Sequence, residues 1–203
     1  YAFVDEQWEH DFAANANPIR LQNPLAAQYA VMRSTLIGGL VEILQNNLNR
    51  KQNRVRVFEI ARVFSKYSDG QFVQNERIGG LWYGAAMPEQ WGEKTRNADF
   101  YDIKADVENL LKNKAVEFVK TEHPALHPGR AANIVSDGQV IGFVGELHPK
   151  WLQKYDLPQA PLVFEIDMAA VLEREKTRYQ AVSKFQPVRR DLAFVMPETM
   201  THD

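Results

Sequence analysis

Residues 127–149, HPGRAANIVSDGQVIGFVGELHP, constrain the fold more than any other stretch, because two apolar runs flank an Asp-Gly pair at positions 137 and 138. Such a pair is a strong signal for a tight antiparallel hairpin, since both turn positions must accept a positive φ. Both faces of the two strands are apolar, which predicts a hairpin that is covered on both sides. Gly142 and Gly145 predict either close approach of another backbone or a bend in the strand. The predicted register pairs Val135 with Val140, Ile134 with Ile141, Ala132 with Phe143 and Ala131 with Val144.

The rest of the chain mixes strands and helices. Residues 5–24 are polar, contain two Asn-Pro turns and predict a connection. Residues 55–64 carry apolar side chains on both faces, which predicts a central strand. Strands joined by hairpins, with helices inserted, favour an α+β fold with a largely antiparallel sheet flanked by helices over a doubly wound sheet. Further predictions are strands at residues 1–4, 78–86 and 115–119, helices within 97–113 and 148–158, and a strand that runs into a short helix at 161–172.

The clearest helix covers residues 35–49. Ser34 precedes it and suits an N-cap, because a hydroxyl can accept a hydrogen bond from the first helical turn. Gly38 and Gly39 each cost about 1 kcal/mol against Ala inside a helix, but they let a neighbour pack closely. Apolar residues recur at helical spacing and form a stripe that is broad enough for two neighbours. The stripe consists of Leu36, Ile37, Leu40, Val41, Ile43, Leu44 and Leu48.

Composition excludes several classes of protein. The chain has no cysteine, which fits a reducing compartment, and no apolar run approaches the length of a membrane span. We therefore expect a cytoplasmic protein without membrane contact. A net charge of −2 argues against nucleic-acid binding by the whole surface.

Both ends of the chain read as cut from something larger. We predict a core domain at residues 1–180. Residues 181–203 are predicted to form a linker and the truncated start of a second domain.

The histidines are the first candidates for chemistry. His123 and His127 are four residues apart, which is the spacing of a helical zinc pair. However, proline follows each of them, and the residue before proline avoids helical backbone angles. We interpret the His-Pro pairs as turns at strand ends, with a metal site as the alternative.

Three charged clusters each allow two interpretations. Asp99, Asp102 and Asp106 could form a magnesium platform, but a helix cap at Asp99 with Asp102 in the first turn explains them as well. Residues 49–56 are basic and predict a solvated turn, with phosphate contact as the alternative. The third cluster follows the first strand and predicts a solvated loop, with a metal-binding loop as the alternative. Its residues are Asp5, Glu6, Glu9, His10 and Asp11.

Motifs for common enzyme chemistry are not readable in this sequence. It has no Gly-rich phosphate loop, no recognisable Ser-His-Asp arrangement and no cysteine nucleophile. We therefore assign no catalytic, cofactor-binding or metal-binding residue.

Four segments in order resemble the bacterial phenylalanyl–tRNA synthetase β-chain family. They are NPLAAQYAVMRSTLIGGLVEILQNNLNR, RVFEIARVF, DFYDIKADVENLL and the hairpin stretch of residues 127–149. Their order and spacing match the family along nearly the whole chain. The tail FQPVRRDLAFVM resembles the start of the ferredoxin-like anticodon-binding domain of that family. The resemblance implies a class II aminoacyl-tRNA synthetase-like antiparallel sheet flanked by helices.

The same resemblance implies that this copy of the fold is non-catalytic and that chemistry occurs in the α chain. Class II catalysis uses one arginine in an fRxE strand and another in a GxGxGxxR junction to hold the phosphates of ATP. Here Glu59 stands where the strand arginine is expected, Arg62 lies outside the pattern, and GxGxGxxR does not occur. We expect ATP and magnesium to serve the full phenylalanine–tRNA ligase, and this chain to bind neither.

The resemblance also implies partners. The helix at residues 35–49 matches the family's interface helix, so its stripe, Leu36 to Leu48 as given above, is predicted to contact the α chain in an α2β2 assembly. The family pattern often has proline where this chain has Gly38. We expect tRNA(Phe) contact mainly through domains outside this chain, with Arg189 and Arg190 as candidate RNA contacts.

The predicted function is therefore assembly of the enzyme and support of the α-chain active site. One alternative is a free-standing amino-acid- or nucleotide-binding domain with a degenerate synthetase fold. Another is a metal hydrolase that uses the histidines.

Overall fold

The computed structural model describes residues 2–66, 70–173 and 188–193, together with the single residues 185, 195 and 197. The predicted linker and second domain at residues 181–203 lie largely outside the described residues. The strands are β1 (Phe3–Val4), β2 (Val31–Met32), β3 (Val55–Lys66), β4 (Phe72–Tyr83), β5 (Glu117–Lys120), β6 (Leu126–Ser136), β7 (Gln139–Leu147) and β8 (Leu162–Asp167). The helices are α1 (Glu6–Ala13), α2 (Ile37–Asn49), α3 (Phe100–Leu110), α4 (Pro149–Lys154) and α5 (Met168–Leu172). Within this part of the chain, no helix could cross a membrane.

Six strands form one sheet in the order β3-β4-β8-β7-β6-β5, and every neighbouring pair is antiparallel. β1 and β2 form a separate antiparallel pair. Helix α2 packs against β3 and β4, whereas α3 packs over β7 and β8. The predicted α+β fold, with an antiparallel sheet flanked by helices, is confirmed.

The sheet separates two apolar cores. Leu40 of α2 and Val163 of β8 belong to one core, and both are 0% exposed. Val107 of α3 and Phe164 of β8 belong to the other. Because successive strand residues point to opposite faces, the central strand β8 contributes to both cores. Burying each of these large apolar side chains stabilises the fold by about 1.5–3 kcal/mol.

The hairpin of β6 and β7 forms at the predicted turn. Asp137 and Gly138 have φ angles of 51° and 75°, as a two-residue turn of this kind requires. Val135 pairs with Val140, as predicted, although Val140 beside the turn remains 59% exposed. Beyond that pair the predicted register is wrong by one residue, because a β-bulge leaves Ile141 without a partner on the facing strand. The observed pairs are Ile134 with Gly142, Ala132 with Val144 and Ala131 with Gly145.

The prediction that residues 55–64 form a central strand is wrong, because β3 lies at the edge of the sheet. Val55 and Val63 of β3 face the core beneath α2. On the other face, Phe58 and Ile60 are 71% and 47% exposed. The apolar pattern on both faces therefore reflects exposed apolar surface and not burial on both sides.

The prediction of a polar connection at residues 5–24 is wrong for its first half, which forms α1. The Asp5 side chain accepts a hydrogen bond from the Gln7 backbone N–H and caps this helix. Phe12 is 0% exposed, and its ring stacks on Tyr155 at a centroid distance of 5.1 Å. Glu9 and Asp11 are also only 1% and 5% exposed, so the acidic cluster is not the predicted solvated loop.

Candidate functional site

The segment that leads into α2 is held by carboxylates from other elements. Glu165 of β8 is 1% exposed, and its Oε2 accepts hydrogen bonds from the Thr35 hydroxyl at 2.6 Å and the Leu36 backbone N–H at 2.8 Å. A carboxylate is favoured here, because the first turn of a helix carries unpaired N–H groups and a partial positive charge. The predicted Ser34 cap is wrong: the helix begins at Ile37, and its N-cap residue Leu36 makes no side-chain cap bond. Glu165 instead binds Thr35 and the Leu36 N–H just before the helix.

The two residues before Thr35 also bind carboxylates. Glu9 is 1% exposed and accepts hydrogen bonds from the Ser34 backbone N–H at 2.8 Å and the Ser34 hydroxyl at 2.5 Å. Arg33 donates to Glu59 at 2.7 Å and to the Arg62 carbonyl at 3.0 Å. Each residue from 33 to 35 thus has its own acidic partner, which fixes the position of α2 on the sheet.

Arg77 completes this polar network. Its guanidinium donates to Glu165 at 2.6 Å and to Asp167 at 2.9 Å. Burial alone would lower the pKa of Arg77, but the two carboxylates outweigh it and raise the pKa. Arg77 and Arg33 are therefore neutralised within the chain.

A cleft of about 460 Å³ opens on the other face of the sheet, between β3 and α3. Its size lies within the range of ligand and docking pockets. The Arg56 guanidinium lies 3.3 Å from the centroid of the Trp82 ring and donates to the Ala86 carbonyl. Partial burial and the nearby charge of Arg54 lower the pKa of Arg56. The rim of the cleft carries opposite charges, with Arg56 on one side and Asp106 on the other. The floor and walls are apolar and are formed by Phe58, Ile78, Leu110 and Phe164.

The loop that follows β4 presents Trp91 to solvent. Trp91 is 102% exposed, and Met87 in the same loop is 56% exposed. The base of the loop is closed by a backbone hydrogen bond from Ala86 to Arg96 at 2.9 Å. Arg54 donates to the carbonyls of residues 85 and 86 at 3.1 and 3.3 Å. Sequence reasoning missed both this loop and the cleft; the available signal was a lone tryptophan in the polar stretch PEQWGEK.

In all three His-Pro pairs the imidazole accepts a backbone hydrogen bond. Nδ1 of His123, His127 and His148 accepts the N–H two residues later, at 3.2, 3.0 and 3.0 Å. These bonds occupy the Nδ1 lone pair of each ring. The interpretation as turn and strand-end residues is confirmed, because His123 begins a turn, His127 lies at the start of β6, and His148 follows β7 as the N-cap of α4. Across the described ranges, no group of three or more His, Asp or Glu side chains is arranged to hold a metal.

His123 is held in its neutral form by its surroundings. Its ring lies 4.1 Å from the ring of Phe143. Burial, together with the nearby charge of Arg77, lowers the pKa of His123 to about 4. The imidazole is therefore uncharged near neutral pH, as its acceptor role requires.

The acidic residues of α3 form a helix cap. Asp99 accepts hydrogen bonds from the backbone N–H groups of Tyr101 at 2.9 Å and Asp102 at 3.2 Å, and Asp102 accepts from the Asp99 N–H at 2.8 Å. Arg96 binds both oxygens of Asp102 at 2.6 and 2.7 Å, and these bonds lower the pKa of Asp102. The cap interpretation is confirmed. Asp106 lies apart on the rim of the cleft, so the three residues do not converge as a magnesium platform would require.

The predicted interface stripe is mostly internal. Ile43 is 38% exposed and Leu48 is half-buried. The other five residues are at most 1% exposed and lie between α2 and the sheet: Leu36, Ile37, Leu40, Val41 and Leu44. The two candidate RNA contacts, Arg189 and Arg190, are exposed, and the Arg189 Nε lies 3.8 Å from an Asp191 oxygen.

Comparison with known proteins identifies the family. A family model described as the phenylalanyl tRNA synthetase beta chain CLM domain matches residues 1–168. The chain belongs to this family. It is 94% identical over 203 residues to the phenylalanine–tRNA ligase beta subunit of Neisseria gonorrhoeae, and 57% identical over 201 residues to that of Chromobacterium violaceum. The beta subunit of Burkholderia lata is 50% identical over 208 residues.

The matches cover 100%, 99% and 98% of this chain, but only 26% of each relative. The chain therefore spans about a quarter of the length of these relatives. The family resemblance that the four segments indicated is confirmed.

Proposed function

We propose that this chain is a non-catalytic core of a phenylalanine–tRNA ligase beta subunit. It assembles with the α chain and supports the α-chain active site, which attaches phenylalanine to tRNA(Phe) with ATP. The fold is a class II synthetase-like sheet that acts as a scaffold. The observation that carries the proposal is that the guanidinium groups of Arg33, Arg56 and Arg77 are bound by partners within the chain.

Those groups would otherwise be the candidates for binding a triphosphate. Arg33 is paired with Glu59, and Arg77 is paired with Glu165 and Asp167. On the cleft face, Arg56 is stacked on an indole and donates to a backbone carbonyl. Catalysis of adenylate formation needs preorganised cations that face the phosphates, and these arginines are already committed to structural partners.

The proposal includes the remaining expectations from the sequence. ATP and magnesium belong to the full enzyme, the assembly is α2β2, and the location is cytoplasmic. tRNA(Phe) binds mainly through other domains of the subunit, with Arg189 and Arg190 as candidate contacts. Residues 181–203 form the linker and the start of a ferredoxin-like anticodon-binding domain.

The test is phenylalanine-dependent exchange between ATP and pyrophosphate. This chain, the α chain and the assembled α–β enzyme are assayed side by side at equal concentration. We expect exchange by the assembled enzyme and none above background by this chain. Exchange by this chain alone would contradict the scaffold role.

One observation favours the alternative of a free-standing amino-acid- or nucleotide-binding domain, namely the cleft with its oppositely charged rim. Isothermal titration of this chain with phenylalanine and with ATP separates the two functions. Stoichiometric binding of either ligand without the α chain supports the alternative. Tight association with the α chain, and no heat with either ligand, supports the scaffold.

A further inference from the structure

The cleft between β3 and α3 carries two opposite charges at its rim that form no ion pair in the described part of the chain. The Arg56 guanidinium has five N–H donors, and the side-chain hydrogen bond described for it goes to the neutral Ala86 carbonyl. Of the acidic residues on α3, Asp102 and Glu108 bind cations, whereas Asp106 binds none among the described residues. One cation and one anion therefore remain free at this cleft.

The two charges face each other across the cleft. Stacking on Trp82, with 3.3 Å between the guanidinium carbon and the ring centroid, holds Arg56 at one side. Burial and the charge of Arg54 lower the pKa of Arg56, whereas the charge of Asp106 acts in the opposite direction. Asp106 is therefore near enough to act on Arg56 through space, although the cleft keeps the two groups apart. A rim of this kind matches a ligand that carries one charge of each sign.

The floor of the cleft offers apolar contact between the charges. Phe164 of β8 lies against the backbone of Gly80 on β4, where an added Cβ would be 2.3 Å from the phenyl ring. The absence of a side chain at Gly80 thus lets the ring lie low and leaves space above it. The resulting volume of about 460 Å³ is that of a site for a molecule of drug size. In such sites apolar burial supplies affinity, and a few polar groups fix the orientation of the ligand.

The arrangement of charge excludes several classes of ligand. A triphosphate would meet a single guanidinium and would be repelled by Asp106. A free α-amino acid carries both of its charges on one carbon atom, whereas Arg56 and Asp106 lie on opposite sides of the cleft. A peptide separates its terminal ammonium from its terminal carboxylate, by about 3.8 Å for each added residue. Beyond the cleft, Arg62 lies opposite Glu76 in the strand register, so this surface adds no net charge.

We propose that the cleft is a binding site for a short apolar peptide, whose terminal carboxylate binds Arg56 and whose terminal ammonium binds Asp106. Its side chains pack on Phe58, Leu110 and Phe164, which line the cleft. This site goes beyond the proposed function, since a scaffold needs no small ligand. Phenylalanine and ATP do not match it, so the scaffold role and the peptide site are compatible.

The test measures binding of leucyl-leucine to the assembled α–β enzyme by isothermal titration calorimetry. Titrations without and with excess phenylalanine, which fills the α-chain site, should give the same dissociation constant. Asp106→Asn should raise that constant about tenfold, because the ammonium loses its partner. Glu108→Gln is the matched control, since it removes the same charge from the same helix but Glu108 does not line the cleft. Its effect should be less than about twofold.

Modified peptides assign each end of the ligand to one side of the cleft. N-acetyl-leucyl-leucine lacks the ammonium and leucyl-leucinamide lacks the carboxylate, so each should bind the wild-type enzyme about tenfold more weakly than leucyl-leucine. Asp106→Asn should weaken binding of the amide further but leave binding of the acetylated peptide unchanged, because only the amide still carries the group that Asp106 binds.

Four outcomes would overturn the peptide site. They are no binding of leucyl-leucine to the wild-type enzyme, binding that Asp106→Asn leaves unchanged, and equal weakening by Asp106→Asn and Glu108→Gln. The fourth is displacement of the peptide by phenylalanine, because the peptide would then share a site with the free amino acid. The exchange assay of the scaffold role uses no peptide, so its result is independent of these four.

Discussion

Removal of the Glu165 carboxylate tests whether its hydrogen bonds to the segment before α2 hold that helix in place. Glu165→Ala leaves the Thr35 hydroxyl and the Leu36 N–H buried without an acceptor, and it removes one of the two carboxylates on Arg77. Breaking a buried ion pair by deleting one partner costs about 3–5 kcal/mol. Arg77 keeps Asp167 and is 28% exposed, so we expect a loss near the lower end, about 3 kcal/mol.

Two further substitutions separate the parts of this effect. Glu165→Gln keeps an oxygen for the helix but loses the charge that faces Arg77, so we expect a smaller loss, about 1–2 kcal/mol. Glu173→Gln is the control, because Glu173 is 74% exposed in its ion pair with Lys114 and water screens such surface pairs, so its loss should change stability little. The free energy of unfolding is measured with urea and far-UV circular dichroism. A loss for Glu165→Ala no larger than that for Glu173→Gln would refute the reasoning.

Three further predictions concern single residues. Gly38→Ala should destabilise the protein by about 1–2 kcal/mol, because the added Cβ would lie 2.6 Å from the Trp8 ring. Gly39→Ala is the control and should be neutral or stabilising, because the nearest atom to its added Cβ is 3.8 Å away. Equal effects of the two substitutions in urea unfolding would contradict this. The pKa of His123 falls from 6.5 in the unfolded chain to about 4 in the folded protein. The stabilising contribution of neutral His123 is therefore fully present above pH 6.5, and the free energy of unfolding should decline by up to about 3 kcal/mol as the pH falls to 4. His123→Asn should flatten that decline, and a pH profile that His123→Asn leaves unchanged would exclude His123 as its source. Asp99→Ala should lower the free energy of unfolding by about 1 kcal/mol, because the α3 cap is lost. Amide exchange in the first turn of α3 should become faster, and slower exchange there would contradict the prediction.

Features that depend on neighbours in sequence were predictable. The turn at Asp137 and Gly138 needs two residues that accept positive φ, and the sequence places them between two apolar runs. The cap at Asp99 and the His-Pro turns likewise involve groups within three residues of each other. Such contacts form whatever the rest of the chain does, so local chemistry is enough to infer them.

Features that depend on distant partners were not predictable in the same way. Ser34 looks like a helix cap, but Glu9 binds it, and the distant Glu165 binds the Leu36 N–H at the helix start. The bulge at Ile141 shifts a register that the turn alone would have continued. In each case a long-range contact replaces the local one, and one sequence does not show which distant groups meet.

The apolar residues of α2 and β3 also show what sequence patterns cannot distinguish. The apolar stripe of α2 suggested a surface for a partner, yet most of it fills the chain's own core. The exposed apolar residues Phe58 and Ile60 suggested a buried central strand, yet they lie on a sheet edge. Apolar side chains that serve a core and those that serve a partner have the same chemistry, so periodicity alone cannot separate them.

The position of β8 has a consequence for biosynthesis. Although β8 is the last strand of the described sheet to leave the ribosome, it lies between β4 and β7 and joins the two halves of that sheet. Until residues 162–167 emerge, the nascent polypeptide holds two unjoined half-sheets with open edges, which are prone to aggregation and need shielding by chaperones. A translation product that stops short of this strand should therefore be more prone to aggregation than one that contains it.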